Sequence, residues 1–546
     1  MVHSLGFDVR FAARRAYRLR IARPNTTGMN YESAQKTYTS LEGQRWSFID
    51  RGRTSAELTI PYVLPPEGHG SDTKYYTPYQ GIGARGVNNL ASKLLIALLP
   101  PNAPFFRLVI DRYELDKAKA ELGEEQGEQL RTDLEKALSE VERAVSQEVE
   151  VEAFRVGVFE ALKNLLITGN TLLYLPDDGG MRVFRPDRYV VKRDPMGNVT
   201  HIAVKETVAP MMLPESVRNE VYKESKEDTC ELFTSVCRED DKFVVRQDVK
   251  GMPIEESYGE YALDKSPWLP LRYTRIDGED YGRGFVEEYI GDLKSLEALT
   301  KAIVEGSAAA AKVLFMVNPN GTTRARTLAE APNGAIVQGS DGDVSVLQLN
   351  KFNDFRVAQT VMAQIQDRLS HAFLLNSNVV RDAERVTAEE IRMLSQELEA
   401  ALGGLYSILS QEFQLPLVTR LMERMGRKDR LPKLPKDIVK PTIVTGVEAL
   451  GRGNDLNRLD MFLAGANQVV GPEAVMQYVN VSDYFKRRAT ALGIETEGLI
   501  KTEEELQQAM QAAQQQEMMM KLGAPAVGPA INAAQEQFMA SQEAEQ

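Results

Sequence analysis

Apolar residues along this chain follow two periods that alternate in blocks. From Gly81 to Leu99, Val87, Leu90, Ala91, Leu94, Leu95 and Leu98 recur at helical spacing, and Pro100-Pro101 stops the run. Phe105 to Ile110 is strand-like. Leu130, Leu134, Leu138, Val141, Val145 and Val149 return at steps of three and four, with Glu and Arg opposite, which predicts an amphipathic helix. A second helix, Val151 to Ile167, ends at Gly169-Asn170, a pair suited to a left-handed cap. Short strands follow at Thr171–Leu175, Met181–Phe184, Tyr189–Arg193, Thr200–Lys205, Glu231–Val236 and Lys242–Asp248. Turn sequences such as Asp177-Asp178-Gly179-Gly180 and Glu239-Asp240-Asp241 separate them. An antiparallel layer carried on helices makes the fold class α+β.

The helical period resumes at Gly282. Val286, Ile290, Leu293, Leu296, Leu299 and Ile303 predict a proline-free helix over Phe285–Val313 that ends in small side chains, Ser307 to Ala311. Leu314 to Asn350 breaks into an extended, turn-rich insert, after which a second helix runs from about Phe355 to Leu375. A polar stretch, Asn376 to Arg385, leads to Thr387 and Glu390, a capping box that opens a third long helix reaching about Met425. Gly403-Gly404 inside that helix predicts a kink or a close packing contact. Arg427 to Pro441 is linker-like, a further helical unit reaches about Leu499, and Lys501 to Gln546 is a Gln/Met/Ala/Glu-rich tail. Met1 to Asp50 is basic, mixed and poorly periodic, and is expected to be a solvated or oligomer-contacting arm.

Composition narrows the function. The 546 residues predict three or four structural units, and acidic residues exceed basic ones for a net charge of −13, which argues against a protein that coats nucleic acid through its phosphates. Two cysteines, Cys230 and Cys237, exclude a disulfide scaffold, and the four histidines lie far apart. No apolar run is long enough to span a membrane. The segment GIGARG (Gly81, Gly83, Gly86) satisfies a dinucleotide-type glycine spacing, but no strand leads into it, so it reads as a tightly packed helix start. Asp341-Gly342-Asp343 reads as a hairpin turn and not a calcium loop. No catalytic constellation, cofactor site or metal site emerges.

Four long blocks carry a resemblance: GIGARGVNNLASKLLIALLP, GEDYGRGFVEEYIGDLKSLEAL, ERVTAEEIRMLSQELEAALGGLYSILSQEFQLPLV and PTIVTGVEALGRGNDLNRLDMF. Together they resemble the portal, or head-to-tail connector, proteins of podovirus-type short-tailed phages, in collinear order from about Thr59 to Glu505. The resemblance implies a ring-forming portal fold. Its parts would be an arm (1–50), a wing (51–283), a stem helix (284–313), a clip (314–350), a second stem helix (351–375), a tunnel loop (376–386), a spine helix (387–425), a crown (426–500) and a barrel helix or disordered tail (501–546). It further implies a dodecamer at one capsid vertex of the virion, assembled in the host cytoplasm, through which double-stranded DNA is packaged and ejected. The implied partners are the terminase large subunit, tail adaptor and nozzle proteins, the major capsid and scaffolding proteins and internal core proteins, with no membrane. A tail adaptor or collar ring without a packaging role is the alternative.

Acidity suits such a conduit, because walls that repel phosphate let a duplex slide. A few basic rings would then touch the backbone without reading sequence. Arg381 and Arg385 in the tunnel loop, with Lys351 and Arg356 at the start of the second stem helix, are the candidates for DNA contact. Ion pairing competes with that role; for Arg385 the rivals are Glu384 and Glu389. In the clip, Arg324 and Arg326 have no acid between Asn318 and Leu328. They are the candidates for meeting terminase or adaptor, and plain surface solubility explains them as well.

Overall fold

A computed structural model describes residues 33–70, 72–101, 105–109, 124–224, 229–310, 314–347, 352–375, 404–431, 442–445 and 452–471, with isolated residues 393, 397, 398, 479, 484, 485 and 488. The chain divides into two compact units, Met1–Ala449 and Leu450–Gln546.

The first unit corrects the expected arm. Helix α1 (Ala34–Glu57) runs across the boundary drawn at residue 50 and is built into the core. Its apolar period is weak because several of its buried positions are polar: Thr37, Arg45 and Ser55. Ser33 at its start donates to Asp248 Oδ2 at 2.5 Å, and the buried Arg45 donates to the carbonyls of Pro186 (2.9 Å) and Tyr189 (2.5 Å). Hydrogen bonds to backbone oxygens replace the hydration that a buried guanidinium loses.

Helix α1 lies on a five-stranded antiparallel sheet, with Ala34 and Tyr38 packed against Val190, Ala203 and Phe233. The sheet joins β4 (Tyr189–Arg193), β5 (Val199–Val208), β6 (Cys230–Glu239), β7 (Lys242–Val249) and β8 (Met252–Ala262) in sequential order. A three-stranded sheet orders β3 (Arg182–Phe184), β2 (Asn170–Tyr174) and β9 (Trp268–Arg272). Leu172, Trp268, Val191, Ile202, Val236 and Tyr281 share one core cluster that fuses the two sheets. Strand β8 has no counterpart in the apolar pattern. It is an edge strand, shifted in register between Val245 and Gln247 of its neighbour, and it buries just Ile254 and Ser257, too few to show an apolar alternation.

Three helices support the sheets. Helix α2 (Ile82–Leu98) buries Val87, Leu90, Ala91, Leu94 and Leu98, as its periodicity predicted. Its glycines are packing residues: a Cβ on Gly83 would stand 2.6 Å from the Leu58 carbonyl oxygen, and one on Gly86 2.4 Å from the Phe373 ring. The GIGARG spacing thus answers to close approach of chain segments. Helices α3 (Glu124–Val151) and α4 (Phe154–Thr168) are separated by Ala153 in the left-handed region (φ 53°), and Gly169 (φ 78°) caps α4.

The expected crown boundary at residue 426 falls inside a helix of the first unit. Helix α11 (Leu415–Arg427) buries Arg420 and Arg424 against the β2–β3 turn and the end of α3, through Asp177 (2.7 Å) and Glu152 (2.5 Å). Farther on, β12 (Thr442–Thr445) pairs antiparallel with β1 (Phe106–Val109). A linker-like composition therefore did not end the domain. Before α11, Gly404 takes a left-handed φ of 87° at the start of the short helix α10 (Leu405–Leu409), and residues 410–414 form a π-helical turn. Gly404 marks a break where the glycine pair predicted a kink or a close packing contact. In the second unit, helix α12 (Arg452–Val470) carries Asp460, which accepts from Tyr484 Oη (2.6 Å) and Arg488 (3.1 Å).

Candidate functional site

Two long helices and a paired-strand insert occupy the positions expected for the stem and the clip, and those names are used for them below. The predicted first helix is interrupted at Tyr289 (φ −108°, ψ 12°), giving a short α6 (Phe285–Glu288) and a long α7 (Ile290–Ala310). The second is α9 (Phe352–Ala372). They run antiparallel. Arg368 Nη2 of α9 meets Asp292 Oδ1 of α7 at 2.7 Å near one end, and Gly306 of α7 lies against Phe355 of α9 near the other. A Cβ on Gly306 would stand 2.8 Å from that ring, so the small side chain there permits the contact.

Among the described residues, the stem is buried at its wing end. Leu293, Leu296, Ile365, Leu369 and Phe373 are buried, and Phe373 packs edge-on against Phe285 with centroids 5.4 Å apart. Outward from there the apolar side chains face solvent: Val304 is 49%, Val361 41% and Val357 66% exposed. One further tether holds the wing end. Glu297 of α7 accepts from Tyr76 Oη (3.1 Å) and from the backbone N–H groups of Tyr79 and Gln80 (both 3.0 Å), which fixes the segment that leads into α2.

In the clip, β10 (Leu314–Val317) pairs antiparallel with β11 (Val344–Leu347) around a short helix α8 (Ala325–Glu330). Asp343 closes it. Its Oδ2 accepts from the N–H groups of Thr322 (2.7 Å) and Thr323 (3.0 Å) and from both hydroxyls (3.1 Å each). Hydrogen bonding, foremost from the Thr323 backbone, holds this carboxyl below the usual carboxylate range. The Asp341-Gly342-Asp343 turn is thus an internal clasp. Phe315, Met316 and Ile336 remain exposed on the clip.

The site residues predicted from sequence separate along this body. Arg324 sits exposed at the start of α8, and Arg326, also exposed, pairs with Glu330 of the same helix at 2.9 Å. The pair lies on the exposed surface, with both side chains open to solvent. Arg356 is exposed near the clip end of α9. Some 18 residues separate it from Leu374, roughly 25 Å at helical rise. Lys351, Arg381 and Arg385 lie outside the described residues. Sequence reasoning passed over the exposed Lys294 and Lys301 of α7, and over Asn89 and Lys93 of α2, which bond to the turn that ends α9. The signal for the latter pair was their spacing from Gly86 on one helical face.

Among the described residues no cluster of His, Cys, Asp or Glu is placed to hold a metal, and no helix is long and apolar enough to cross a membrane. The described residues form an α+β body that carries an antiparallel pair of long helices and a strand-paired insert between them. The bacteriophage head to tail connecting protein family matches residues 31–500, and the chain belongs to that family. The portal protein of Escherichia phage T7 is 42% identical over 518 residues, covering 93% of this chain and 95% of that protein. That of Enterobacteria phage T3 is 42% identical over 494 residues, covering 89% and 91%. The portal protein of Enterobacteria phage SP6 is 29% identical over 506 residues, covering 91% and 95%.

Proposed function

We propose that this protein is a non-enzymatic portal, a ring of copies around a channel at one capsid vertex that carries double-stranded DNA inward during packaging and outward during ejection. The carrying observation is the distal stem of this family member. Val304, Val357 and Val361 lie exposed on an antiparallel pair that buries little of itself there. Long helices with an unspent apolar face are stabilised by packing, and identical neighbours in a closed ring supply it. Twelve copies, the number that the resemblance implies, are the proposed number.

The remaining roles follow from position. The clip, with Arg324, Arg326 and the exposed Phe315, Met316 and Ile336, is the proposed dock for the terminase large subunit and afterwards for tail adaptor and nozzle proteins. Major capsid and scaffolding proteins, and internal core proteins, would meet the wing and crown. Arg381 and Arg385 are the proposed valve cations at residues 376–386, with Lys351 and Arg356 lower in the channel. Transient contacts from isolated cations to phosphate hold DNA without fixing its register. The test is a phage deleted for this gene and complemented in trans. Heads should form but stay free of DNA without the protein and fill when it is restored. Heads that fill normally without it would rule the conduit role out.

A further inference from the structure

The chain leaves the stem through a strained turn. Leu374 adopts φ 53°, a conformation that crowds the Cβ of any L-residue and usually falls to glycine. Around it Leu374 N–H donates to the His371 carbonyl (3.1 Å) and Leu375 N–H to that of Ser370 (2.8 Å), the crossed pair that closes a helix on a left-handed residue. A leucine in this place needs support from outside the turn.

Helix α2 supplies it. Asn89 Nδ2 donates to the carbonyls of Phe373 (2.9 Å) and Leu374 (3.1 Å), and Lys93 Nζ donates to Leu374 O at 2.9 Å. One turn earlier, Gly86 leaves the space that the Phe373 ring occupies. Gly86, Asn89 and Lys93 fall at steps of three and four, so a single face of α2 grips the end of α9. Lys93 is 4% exposed, and burial draws its ammonium below the usual lysine range while the nearby charge of Glu397 acts in the opposite sense. Leu374 and Glu397 stand on either side of residues 376–386 in the sequence, and Lys93 interacts with both. The amine is committed inside the protein and is no DNA contact.

We infer that Gly86, Asn89 and Lys93 form a positioning clamp: the wing helix α2, by holding the Phe373–Leu374 turn, fixes the direction in which the chain departs from the stem toward the segment proposed to hold DNA. The inference rests on the reading of 376–386 as that segment. It gives the GIGARG helix a task in the conduit beyond core packing.

The experiment measures DNA loss from filled heads carrying N89A, K93M, L374G and the N89A/L374G pair, with R381A/R385A alongside, and checks ring mass for each. K93M keeps the buried stem of the side chain and deletes only the ammonium, so it serves if N89A does not assemble. The clamp predicts rings of normal mass, DNA loss faster by about fivefold in K93M, the worth of one lost hydrogen bond, a larger increase in N89A, which loses two, and rescue of N89A by L374G, because glycine holds the turn without help. Additive loss in N89A/L374G would show a merely structural joint and overturn the clamp. Unchanged retention in N89A and K93M with a defect in R381A/R385A would overturn the clamp and leave the valve standing. No defect in any variant would overturn both.

Discussion

Asn170 and Gly282 hold each other reciprocally. The amide Nδ2 donates to Gly282 O at 2.8 Å, and Oδ1 accepts from Gly282 N–H at 2.7 Å. Beside this pair the backbones nearly touch. A Cβ on Gly284 would stand 2.5 Å from the Ile167 carbonyl oxygen, and one on Gly169 2.4 Å from the Arg283 carbonyl carbon. The segment that launches the stem is therefore seated on the end of α4 by the Asn170 amide and by close backbone approach at Gly169 and Gly284.

Replacing Asn170 by Ala leaves a buried N–H and a buried carbonyl of Gly282 without this partner. The loss should be about 2–3 kcal/mol of stability, read as a lowered midpoint in urea unfolding of the purified protein. A shift within error would mean that the joint is held elsewhere.

The buried arginines of α11 make a second, separable prediction. Arg424 is 3% exposed and reaches Glu152 at 2.5 Å and Glu148 at 3.7 Å. Removing one member of such a pair strands the other, so R424A should cost about 3 kcal/mol. A double-mutant cycle with E152Q should return a coupling well above the 0–1 kcal/mol typical of an exposed pair. A near-zero coupling would make the contact incidental.

Acid should open the clip clasp. The carboxyl of Asp343 titrates below its ordinary value, so its contribution is complete above the usual carboxylate range near pH 4 and is lost as pH falls through the depressed value. Amide protection factors at Thr322 and Thr323, taken against the intrinsic exchange rate at each pH, should be high at neutral pH and fall on acidification. D343A should show fast exchange at neutral pH with no further acid response. An unchanged acid response in D343A would assign the transition to another group.

The exposed valines distinguish folding from assembly. V357E changes a side chain that is 66% exposed in one copy, so the isolated chain should keep its stability within about 0.5 kcal/mol. In a ring the same charge would be buried between stems and unpaired, and the ring should dissociate. Mass by light scattering reports the second effect and calorimetry the first. Intact V357E rings would place the neighbouring stem elsewhere.

Elements with a one-sided apolar face were legible in the sequence: α2, α3, α4 and the two stem helices follow their apolar period. Helix α1 was not, because its buried face carries Thr37, Arg45 and Ser55, whose burial depends on partners distant in sequence. Edge strand β8 was hidden for a related reason, since MPIEESYGEYA buries just Ile254 and Ser257 and so shows no apolar alternation. Of the candidate site, the insert and the exposure of Arg324, Arg326 and Arg356 were readable. The clasp at Asp343 and the grip of Asn89 and Lys93 on Leu374 were not, because a polar side chain announces a hydrogen bond without naming the carbonyl or hydroxyl it will meet.

The most direct test of a ring-shaped conduit is the mass of the purified protein by light scattering, with negative-stain imaging of the same sample. A particle of about twelve copies with a central hole is the predicted result. A monomer or dimer at high concentration, without rings at any salt, would contradict it.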